Sequence, residues 1–433
     1  MLFLCFSPIF LGINAFYAYE LFKWIDSLGI SNAKVCKTIK IAFGVVWGFC
    51  STAIFWAFLI PGSISYEKQP ALYVFRRILK QIGNYHLAVF FYMGMSLIVI
   101  LLLRLIERLA TNYKNKHIED YKEKPRRKLD ALKVFDISIQ SRQHRRAILG
   151  ILNLAFIIAI TLYGVHNARD IKVNNYDITV HKSVNGLDDL KVVLVADLHM
   201  GYNIGCEQIE KMVKLINDED ADLVVIAGDI FDNEYEALDN PERLIELLST
   251  ISSRYGTYAV YGNHDIEEKI IGGFTFDWHG AKESNQKMDE MLKKAGIRLL
   301  RDEYVSICDN QIYVYGRPDY ERPGKGIERR LSPEELTREL DLCKPVIVLD
   351  HEPRELKELA NAGVDIDLCG HTHDGQFFPM NITSRYITWE NSAGLLKKGN
   401  MSNIVTSGVG LYGPNIRVGT QAEICSILVH FKE

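Results

Sequence analysis

The stretch LVVIAGDIFD at residues 223–232 decides the fold of the second half of this chain. It opens on an apolar, mostly β-branched run, which is typical of a short strand buried on both faces. Gly228 then permits a tight turn, and the carboxylates of Asp229 and Asp232 follow it. Because functional groups collect at the carboxyl ends of buried strands in α/β proteins, the stretch predicts a strand that delivers acidic side chains to a site.

Four more apolar runs in this half end in residues of types that bind metals. They are LKVVLVA before Asp197-Leu-His199, TYAVY before Gly262-Asn-His-Asp265, PVIVL before Asp350-His-Glu-Pro353, and DIDLC before Gly370-His-Thr-His373. Segments with helical spacing lie between the first strands, at Cys206–Asn217 and Leu238–Ile251. Further strands are predicted at Ile297–Leu300, Gln311–Tyr315 and Glu423–Val429. Strands that alternate with helices predict an α/β domain whose sheet is covered on both sides.

Four apolar segments precede this half and predict an α-helical transmembrane region over residues 1–166. They are Leu2–Tyr19, Ile39–Ile60, Leu87–Leu103 and Ala147–Val165. A helix needs about 20 apolar residues to cross a bilayer. The first segment contains Pro8 and Asn14, so a cleaved signal peptide is the alternative for it. No basic region precedes that segment, however, and no cleavage signal of small residues follows it closely.

The charge of the chain is unevenly divided, although its formal net charge is only −4. Residues 1–170 carry 22 Lys and Arg against 10 Asp and Glu, whereas the remainder carries 28 against 44. Much of the positive charge lies in the loop 104–146, and short basic loops stay cytoplasmic. We therefore predict a multi-pass protein of the cell membrane whose catalytic half is extracytoplasmic. The basic loop is expected to contact membrane lipids, and the acidic half is a poor partner for nucleic acid.

The segment between these two regions is short and polar. Residues 167–186 include some alternating apolar side chains and predict a linker that leads into an edge strand. The catalytic domain is predicted over residues 187–433. The eight cysteines of the chain show no CxxC spacing, which argues against a zinc ribbon and against a disulfide framework.

The order of the motifs carries a family resemblance. D-x-H, G-D-x-x-D, G-N-H-D, H and G-H-x-H, from Asp197 to His373, resemble the motifs of the calcineurin-like metallophosphoesterase superfamily. The runs Val348–Pro353, Gly370–Gln376 and Gly413–Gly419 make the chain similar to the membrane-associated YkuE-like branch. The resemblance implies a two-sheet αββα sandwich that binds two divalent metal ions.

The resemblance also implies which residues hold the metals. A carboxylate must bridge the two ions, and Asp229 is the natural choice. The implied partners of the first metal are Asp197, His199 and His373, and those of the second are Asn263, His351 and His371. Mixed nitrogen and oxygen ligands suit Mn, Fe, Zn or Co better than Ca.

Three further polar residues of these motifs have no metal to bind. The resemblance implies that His264 is a general acid or an electrostatic stabiliser of the transition state. Asp232 is expected to orient its ring through the other nitrogen. Asp265 is expected to be a structural hydrogen-bond partner.

The implied activity is hydrolysis of a phosphomonoester, phosphodiester or pyrophosphate bond through attack by a metal-bridging hydroxide. Helices that hold the site near a bilayer make an envelope or lipid-linked substrate a candidate. The alternative is a non-enzymatic membrane receptor or scaffold that retains the fold. Such proteins usually lose ligands, whereas every expected ligand is present here.

Two features lie outside the family pattern. Relatives usually carry Gly where Asp374 stands, so its carboxylate is expected to support His373, to face the substrate or to be exposed. An insertion around residues 271–281 contains Trp278 and His279, which could line the substrate entrance or simply belong to a loop.

Overall fold

The structure, a computed structural model, describes residues 2–121, 142–266, 270–271, 274–275, 285–324 and 327–432. It divides into two compact units. The first contains Met1–Thr52 and His86–Leu162, and the second contains Ala53–Tyr85 and Tyr163–Glu433. The second unit therefore includes a stretch of the N-terminal region, before residue 86, that lies outside the predicted catalytic domain.

Long helices account for the N-terminal part of the described chain. They are α1 (Leu2–Ser27), α2 (Ala33–Leu59), α3 (Pro70–Tyr121) and α4 (Arg142–Arg169). Among the described residues, three helical stretches are long and apolar enough to cross a membrane: Ala33–Leu59, Pro70–Ala110 and His144–Arg169. Residues 122–141, which hold much of the predicted basic loop, lie outside the described ranges.

Asn14, the polar residue of the first apolar segment, forms hydrogen bonds within the first compact unit. Asn14 is buried, and its Oδ1 lies 2.8 Å from Nε2 of His86. Its backbone carbonyl accepts a hydrogen bond from the indole of Trp47 at 3.2 Å. A buried amide needs such partners, so Asn14 is compatible with a packed helix.

Two six-stranded sheets form the second unit, with a separate two-stranded hairpin. The strands are β1 (Ile171–Val180), β2 (Asp189–Val195), β3 (Leu223–Ala227), β4 (Thr257–Val260), β5 (Ile270–Ile271), β6 (Phe274–Thr275), β7 (Arg298–Leu299), β8 (Glu303–Ile307), β9 (Ile312–Gly316), β10 (Val346–Leu349), β11 (Ile366–Cys369), β12 (Gly394–Lys398), β13 (Met401–Val405) and β14 (Ala422–Phe431). The first sheet has the order β1-β14-β2-β3-β4-β7, and the second has the order β12-β13-β11-β10-β9-β8. β2, β3 and β4 are parallel neighbours, and so are β9, β10 and β11. Parallel neighbours end at the same edge of a sheet, which brings the turns that follow them together.

Helices cover the outer faces of both sheets. They are α5 (Cys206–Asp218), α6 (Pro241–Ser249) and α7 (Gln286–Lys294) on the first sheet, with α8 (Pro333–Thr337) and α9 (Leu356–Asn361) on the second, and a short α10 (Met380–Thr383) follows. Along β2, Val192 and Leu194 join the core between the sheets, whereas Val193 and Val195 join the core under the helices. This alternation is that of a buried strand, and the architecture is the predicted αββα sandwich.

The predicted linker contains a long strand. α4 ends at Arg169, and β1 begins at Ile171 and pairs along its whole length with β14. Ile178 and Val180 are buried in the core between the sheets. The strand order places β1 at the edge of the first sheet. The predicted edge strand therefore lies within residues 167–186, at Ile171–Val180, instead of following them.

Candidate metal centre

The predicted ligands lie in the turns that follow β2, β3, β4, β10 and β11. The backbone N–H of His199 donates to the carbonyl of Asp229 at 2.9 Å, so the turns after β2 and β3 are bonded to each other. The backbone N–H of His371 donates to the carboxylate of Asp197 at 3.0 Å, which joins a turn of the second sheet to a turn of the first. The two sheets thus deliver their polar side chains to one place.

Two groups of side chains converge at this edge. In the first group, Nε2 of His199 lies 2.9 Å from Nε2 of His373, and Oδ1 of Asp197 lies 3.7 Å from the same atom of His373. Ligands bonded to one ion at about 2.0–2.2 Å lie about 3.0–3.5 Å apart. The spacing of these three side chains therefore fits one ion.

The second group has the same spacing. Nε2 of His351 lies 3.1 Å from Oδ1 of Asn263 and 3.1 Å from Nδ1 of His371. Oδ1 of Asn263 lies 3.0 Å from Nδ1 of His371. These three atoms form a nearly equilateral triangle, as expected of ligands on one face of an ion.

Asp229 lies between the two groups. Its Oδ2 is 3.6 Å from Nε2 of His199 and 3.3 Å from Nε2 of His351. Its Oδ1 accepts the backbone N–H of His264 at 2.8 Å, which holds the carboxylate in this position. A single carboxylate shared by two groups of ligands is the geometry of a dinuclear site.

The protonation states of several of these side chains fit bound metal, whereas Asp197 and His351 must release a proton to bind one. Burial raises the pKa of Asp197 to about 7, and Asp229 outweighs burial and holds the pKa of His351 well above its usual range. Burial lowers the pKa of His199 to about 3, and burial also holds the pKa of His373 well below its ordinary value. Burial disfavours the ionised form of Asp229, but the nearby His351 and His264 outweigh it and hold the pKa of that carboxyl well below its usual range. Metal ligands must be neutral imidazoles or ionised carboxylates. The residues present therefore fit two divalent ions.

The backbone conformation at the site is tightly restricted. Five of the predicted ligands have a positive φ: Asp197 (52°), His199 (45°), Asp229 (49°), His371 (71°) and His373 (48°). Such conformations are uncommon outside glycine and are retained where the surrounding structure fixes them. A Cβ on Gly262 would lie 2.3 Å from Oδ1 of Asp229, so no side chain fits there.

His264 is oriented by Asn233, which corrects the prediction that Asp232 does so. The amide of Asn233 donates to the carbonyl of Ile266 at 3.0 Å, which directs its Oδ1 to Nδ1 of His264. Nδ1 is then the protonated nitrogen, and Nε2 is the nitrogen left for the substrate. Asn233 is fully buried whereas the Asp232 side chain is 25% exposed, so the turn points the amide and not the carboxylate at the ring.

Asp232 nevertheless borders the site. Its Oδ1 lies 3.9 Å from Nδ1 of His199, and one carboxylate oxygen lies within 4.8 Å of ring nitrogens of both His199 and His264. Burial raises the pKa of Asp232 to about 6, against the lowering effect of Lys80. As predicted, Asp265 is structural, because its carboxylate accepts the backbone N–H groups of Phe231 and Gly262 at 2.7 Å each.

Aromatic and cationic side chains from outside the five motifs lie beside the site. The ring of Tyr412 lies 5.1 Å from that of His264, and the ring of Trp389 lies 5.1 Å from that of His371. The guanidinium of Arg354 lies 5.0 Å from the Trp389 ring. Arg and aromatic side chains at such a rim suit a phosphate that carries an organic group. Tyr412 and Trp389 lie outside the motifs, which left no signal for them, whereas Arg354 directly follows the His351-Glu-Pro353 motif.

A buried ion-pair network supports the turn that carries His351. Asp350 is fully buried and accepts from Arg317 at 2.9 Å and from Arg330 at 2.7 Å. Both guanidinium groups also contact Glu355 at 2.8 Å. Asp350 in addition accepts the backbone N–H of His351 at 2.8 Å, so the network fixes the position of that ligand.

Another buried arginine, Arg417, holds the loop beside His373. Nη2 of Arg417 donates to the carbonyls of Ser407 at 2.7 Å and Gly410 at 2.8 Å. The same nitrogen also donates to the carbonyl of Gly408 at 3.1 Å and lies 3.2 Å from Nδ1 of His373. Arg417 lies in the segment Gly413–Gly419 on which the resemblance partly rests, and its role is to shape the loop.

Asp374 neither supports His373 nor faces solvent. It is buried, and its carboxylate accepts two hydrogen bonds from Nε of Arg385, at 2.8 and 3.1 Å, and one from Ser392 at 3.1 Å. Its φ is 49°, a conformation that glycine adopts freely and that Asp tolerates. This explains how Asp replaces Gly here. Trp278 and His279 lie outside the described residues.

The buried Asp367, on β11 behind the site, should make stability depend on pH. Burial and the neighbouring Asp350 raise its pKa to about 7. Because this folded-state pKa exceeds that of an unfolded carboxyl, the associated stability is present at acidic pH and is lost as the pH rises through about 7. Asp367→Asn, which cannot ionise, should be about 2 kcal/mol more stable than the parent at pH 8.

Urea unfolding of the full chain at pH 5, 6.5 and 8 measures this difference. The advantage of Asp367→Asn should shrink toward pH 5, where the parent carboxyl is protonated. Asp309→Asn, in the exposed turn between β8 and β9, is the matched control and should show no such trend. A pH-independent difference for Asp367→Asn would show that burial does not hold the proton on this carboxyl.

Comparison with known sequences identifies the family. A sequence model described as calcineurin-like phosphoesterase matches residues 190–375. An uncharacterized metallophosphoesterase of Aquifex aeolicus is 30% identical over 265 residues, which cover 60% of this chain and 93% of that protein. This chain belongs to the calcineurin-like metallophosphoesterase family. The family predicted from the five motifs is confirmed.

Two further relatives are similar to this chain. The uncharacterized metallophosphoesterase YkuE of Bacillus subtilis is 27% identical over 301 residues, which cover 65% of this chain and 95% of that protein. The transmembrane protein with metallophosphoesterase domain of Danio rerio is 29% identical over 293 residues, which cover 64% of this chain. The match spans 62% of the length of that relative.

Proposed function

We propose that this chain is a membrane-anchored phosphoesterase that depends on two divalent metal ions, of Mn, Fe, Zn or Co. The observation that carries the proposal is the position of Asp229. Its Oδ2 lies within 3.6 Å of ligand nitrogens in both groups, which is what a shared carboxylate of two ions requires. Bound ions would polarise a phosphoryl oxygen and supply an acidified water as nucleophile.

Side chains that bind no metal have separate roles at the site. Asn233 holds the His264 ring so that Nε2 is available to the substrate. In the protonated form, Nε2 of His264 can give its proton to the leaving oxygen as the bond to phosphorus breaks. The ring of Tyr412 lies beside that of His264, and the ring of Trp389 lies beside that of the ligand His371.

Loss of His264 tests its role as general acid. His264→Ala should lower kcat for an alkyl phosphate ester by about 10²–10⁴-fold, because an alkoxide leaves poorly without a proton. Hydrolysis of bis-p-nitrophenyl phosphate should fall far less, because p-nitrophenolate leaves without help. The exposed His181 provides the control, and His181→Ala should match the parent. Equal losses on both substrates would assign His264 an electrostatic role instead of proton transfer.

We also propose that the substrate belongs to the envelope or carries a lipid, and that the catalytic domain is extracytoplasmic. The support is the presence of three stretches able to cross a membrane and the basic composition of residues 104–146. Protease added to intact spheroplasts should digest the catalytic domain. Protection of that domain would place it in the cytoplasm.

A further inference from the structure

A short segment of the second unit exposes several large hydrophobic side chains. Among the described residues after 186, nine such side chains are exposed, and five of them lie within residues 378–387. These five are Phe378, Met380, Ile382, Tyr386 and Ile387. Tyr386 is 80% exposed and Ile387 is 79% exposed. Soluble proteins rarely expose many apolar side chains together, and such a cluster marks a surface that contacts a partner or a membrane.

The 378–387 segment lies beside the end of α4, a helix that is able to cross a membrane. The backbone N–H of Phe378 donates to the carbonyl of Val418 at 2.8 Å. The neighbouring Arg417 donates its backbone N–H to the carbonyl of Gly164 in α4 at 2.9 Å. A Cβ on Gly164 would lie 3.0 Å from Cγ2 of Val418, so the two backbones approach closely. Val418 therefore joins the 378–387 segment to α4.

This part of α4 lies where a spanning helix leaves the bilayer. The apolar run of α4 begins after Arg146 and ends at Val165, which is long enough to cross a membrane. Tyr163 stands in the last turn of that run, and tyrosine is enriched at the boundary between acyl chains and water. Tyr163 and Asn167 also line one polar cavity together with Arg385 of the 378–387 segment. The segment therefore lies near the level of the lipid head groups.

The 378–387 segment is also bonded to the turn that carries two of the metal ligands. Nε of Arg385 donates to the carboxylate of Asp374 at 2.8 and 3.1 Å, and Asp374 directly follows the ligand His373. Trp389 comes two residues after the segment, and its ring lies 5.1 Å from that of the ligand His371. A bilayer in contact with the segment would therefore lie beside the metal centre.

We propose that the 378–387 segment docks on the bilayer from which α4 emerges and holds the metal centre at the lipid surface. This inference rests on the proposed function and narrows it, because the substrate is then a phosphate ester whose lipid group stays in the membrane during hydrolysis. Apolar side chains at an interface enter the boundary between head groups and acyl chains, and rings such as that of Tyr386 favour this boundary. A bilayer suits the surface better than a second copy of the chain, because α4 brings the bilayer to the segment.

Tryptophan fluorescence of the full-length protein in phosphatidylcholine vesicles tests this docking. Tyr386→Trp adds an indole to the 378–387 segment, and subtraction of the parent spectrum isolates its emission. The added indole should lose about half or more of that emission when the acyl chains are brominated, because docked side chains reach about 5–10 Å into the boundary between head groups and acyl chains. Iodide dissolved in the water should quench it only weakly.

Tyr304→Trp is the matched control, because Tyr304 is exposed on β8, at the edge of the second sheet opposite β12. Its indole should be quenched by iodide and not by brominated lipid. The same result for Tyr386→Trp would overturn the inference, and protection from both quenchers would overturn it by showing a protein partner at the segment. The fluorescence requires no turnover, so a parent that hydrolyses no bis-p-nitrophenyl phosphate with Mn²⁺ would instead reject the proposed function.

Discussion

Asp229→Asn should lower kcat/KM for bis-p-nitrophenyl phosphate by about 10³-fold in the full-length protein loaded with Mn²⁺. The carboxylate of Asp229 reaches both ligand groups through Oδ2, within 3.6 Å of His199 and 3.3 Å of His351. An amide is neutral and offers only one acceptor atom, so it cannot balance two dications. Bound metal should therefore fall as well as activity.

Asp309→Asn is a matched control for this substitution. Asp309 is exposed in the turn between β8 and β9 and has a φ of 52°, close to the 49° of Asp229. The same chemical change in the same backbone conformation should leave activity and metal content unaltered. Full activity of Asp229→Asn would show that no bridging carboxylate is needed.

Asp350→Asn should destabilise the protein by about 3–5 kcal/mol, the usual cost of breaking a buried ion pair from one side. Asp350 is fully buried and neutralises Arg317, which is also fully buried, as well as Arg330. Glu355 remains as a partner of both arginines, but it is partly exposed and cannot balance two charges. Thermal unfolding should show a large fall in Tm.

The control for Asp350→Asn is an exposed pair. Glu335 contacts Arg329 at 2.7 Å, and Arg329 is 67% exposed. Glu335→Gln should leave Tm nearly unchanged, because water screens such pairs and the amide can still complete the helix cap at Ser332. Equal Tm values for Asp350→Asn and the parent would show that the network adds no stability.

The strands were predictable wherever an apolar run was continuous. β3 has the predicted bounds, Leu223–Ala227, because all five of its residues are buried. β13 was not predicted, because its buried face carries Ser402 and Asn403. Asn403 donates to Asp367 at 2.9 Å, and a polar pair of this kind hides a buried strand from a hydropathy pattern.

The metal ligands were predictable because each follows its strand directly. Asn233 was missed although it is adjacent to Asp232, since the sequence does not show which side chain of a turn points inward. The contacts between the first turns of α3 and the loops that follow the metal-binding motifs could not be predicted from sequence, because they join residues more than a hundred positions apart, as the bond from Gln81 to Tyr202 illustrates. Contacts of that range leave no local pattern.

Elemental analysis of the purified full-length protein tests the central claim most directly. The account predicts about two transition-metal ions per chain, and fewer in Asp229→Asn. Removal of the ions by a chelator should abolish hydrolysis of bis-p-nitrophenyl phosphate, and Mn²⁺ should restore it. A protein that hydrolyses this substrate at full rate with no bound metal would contradict the account.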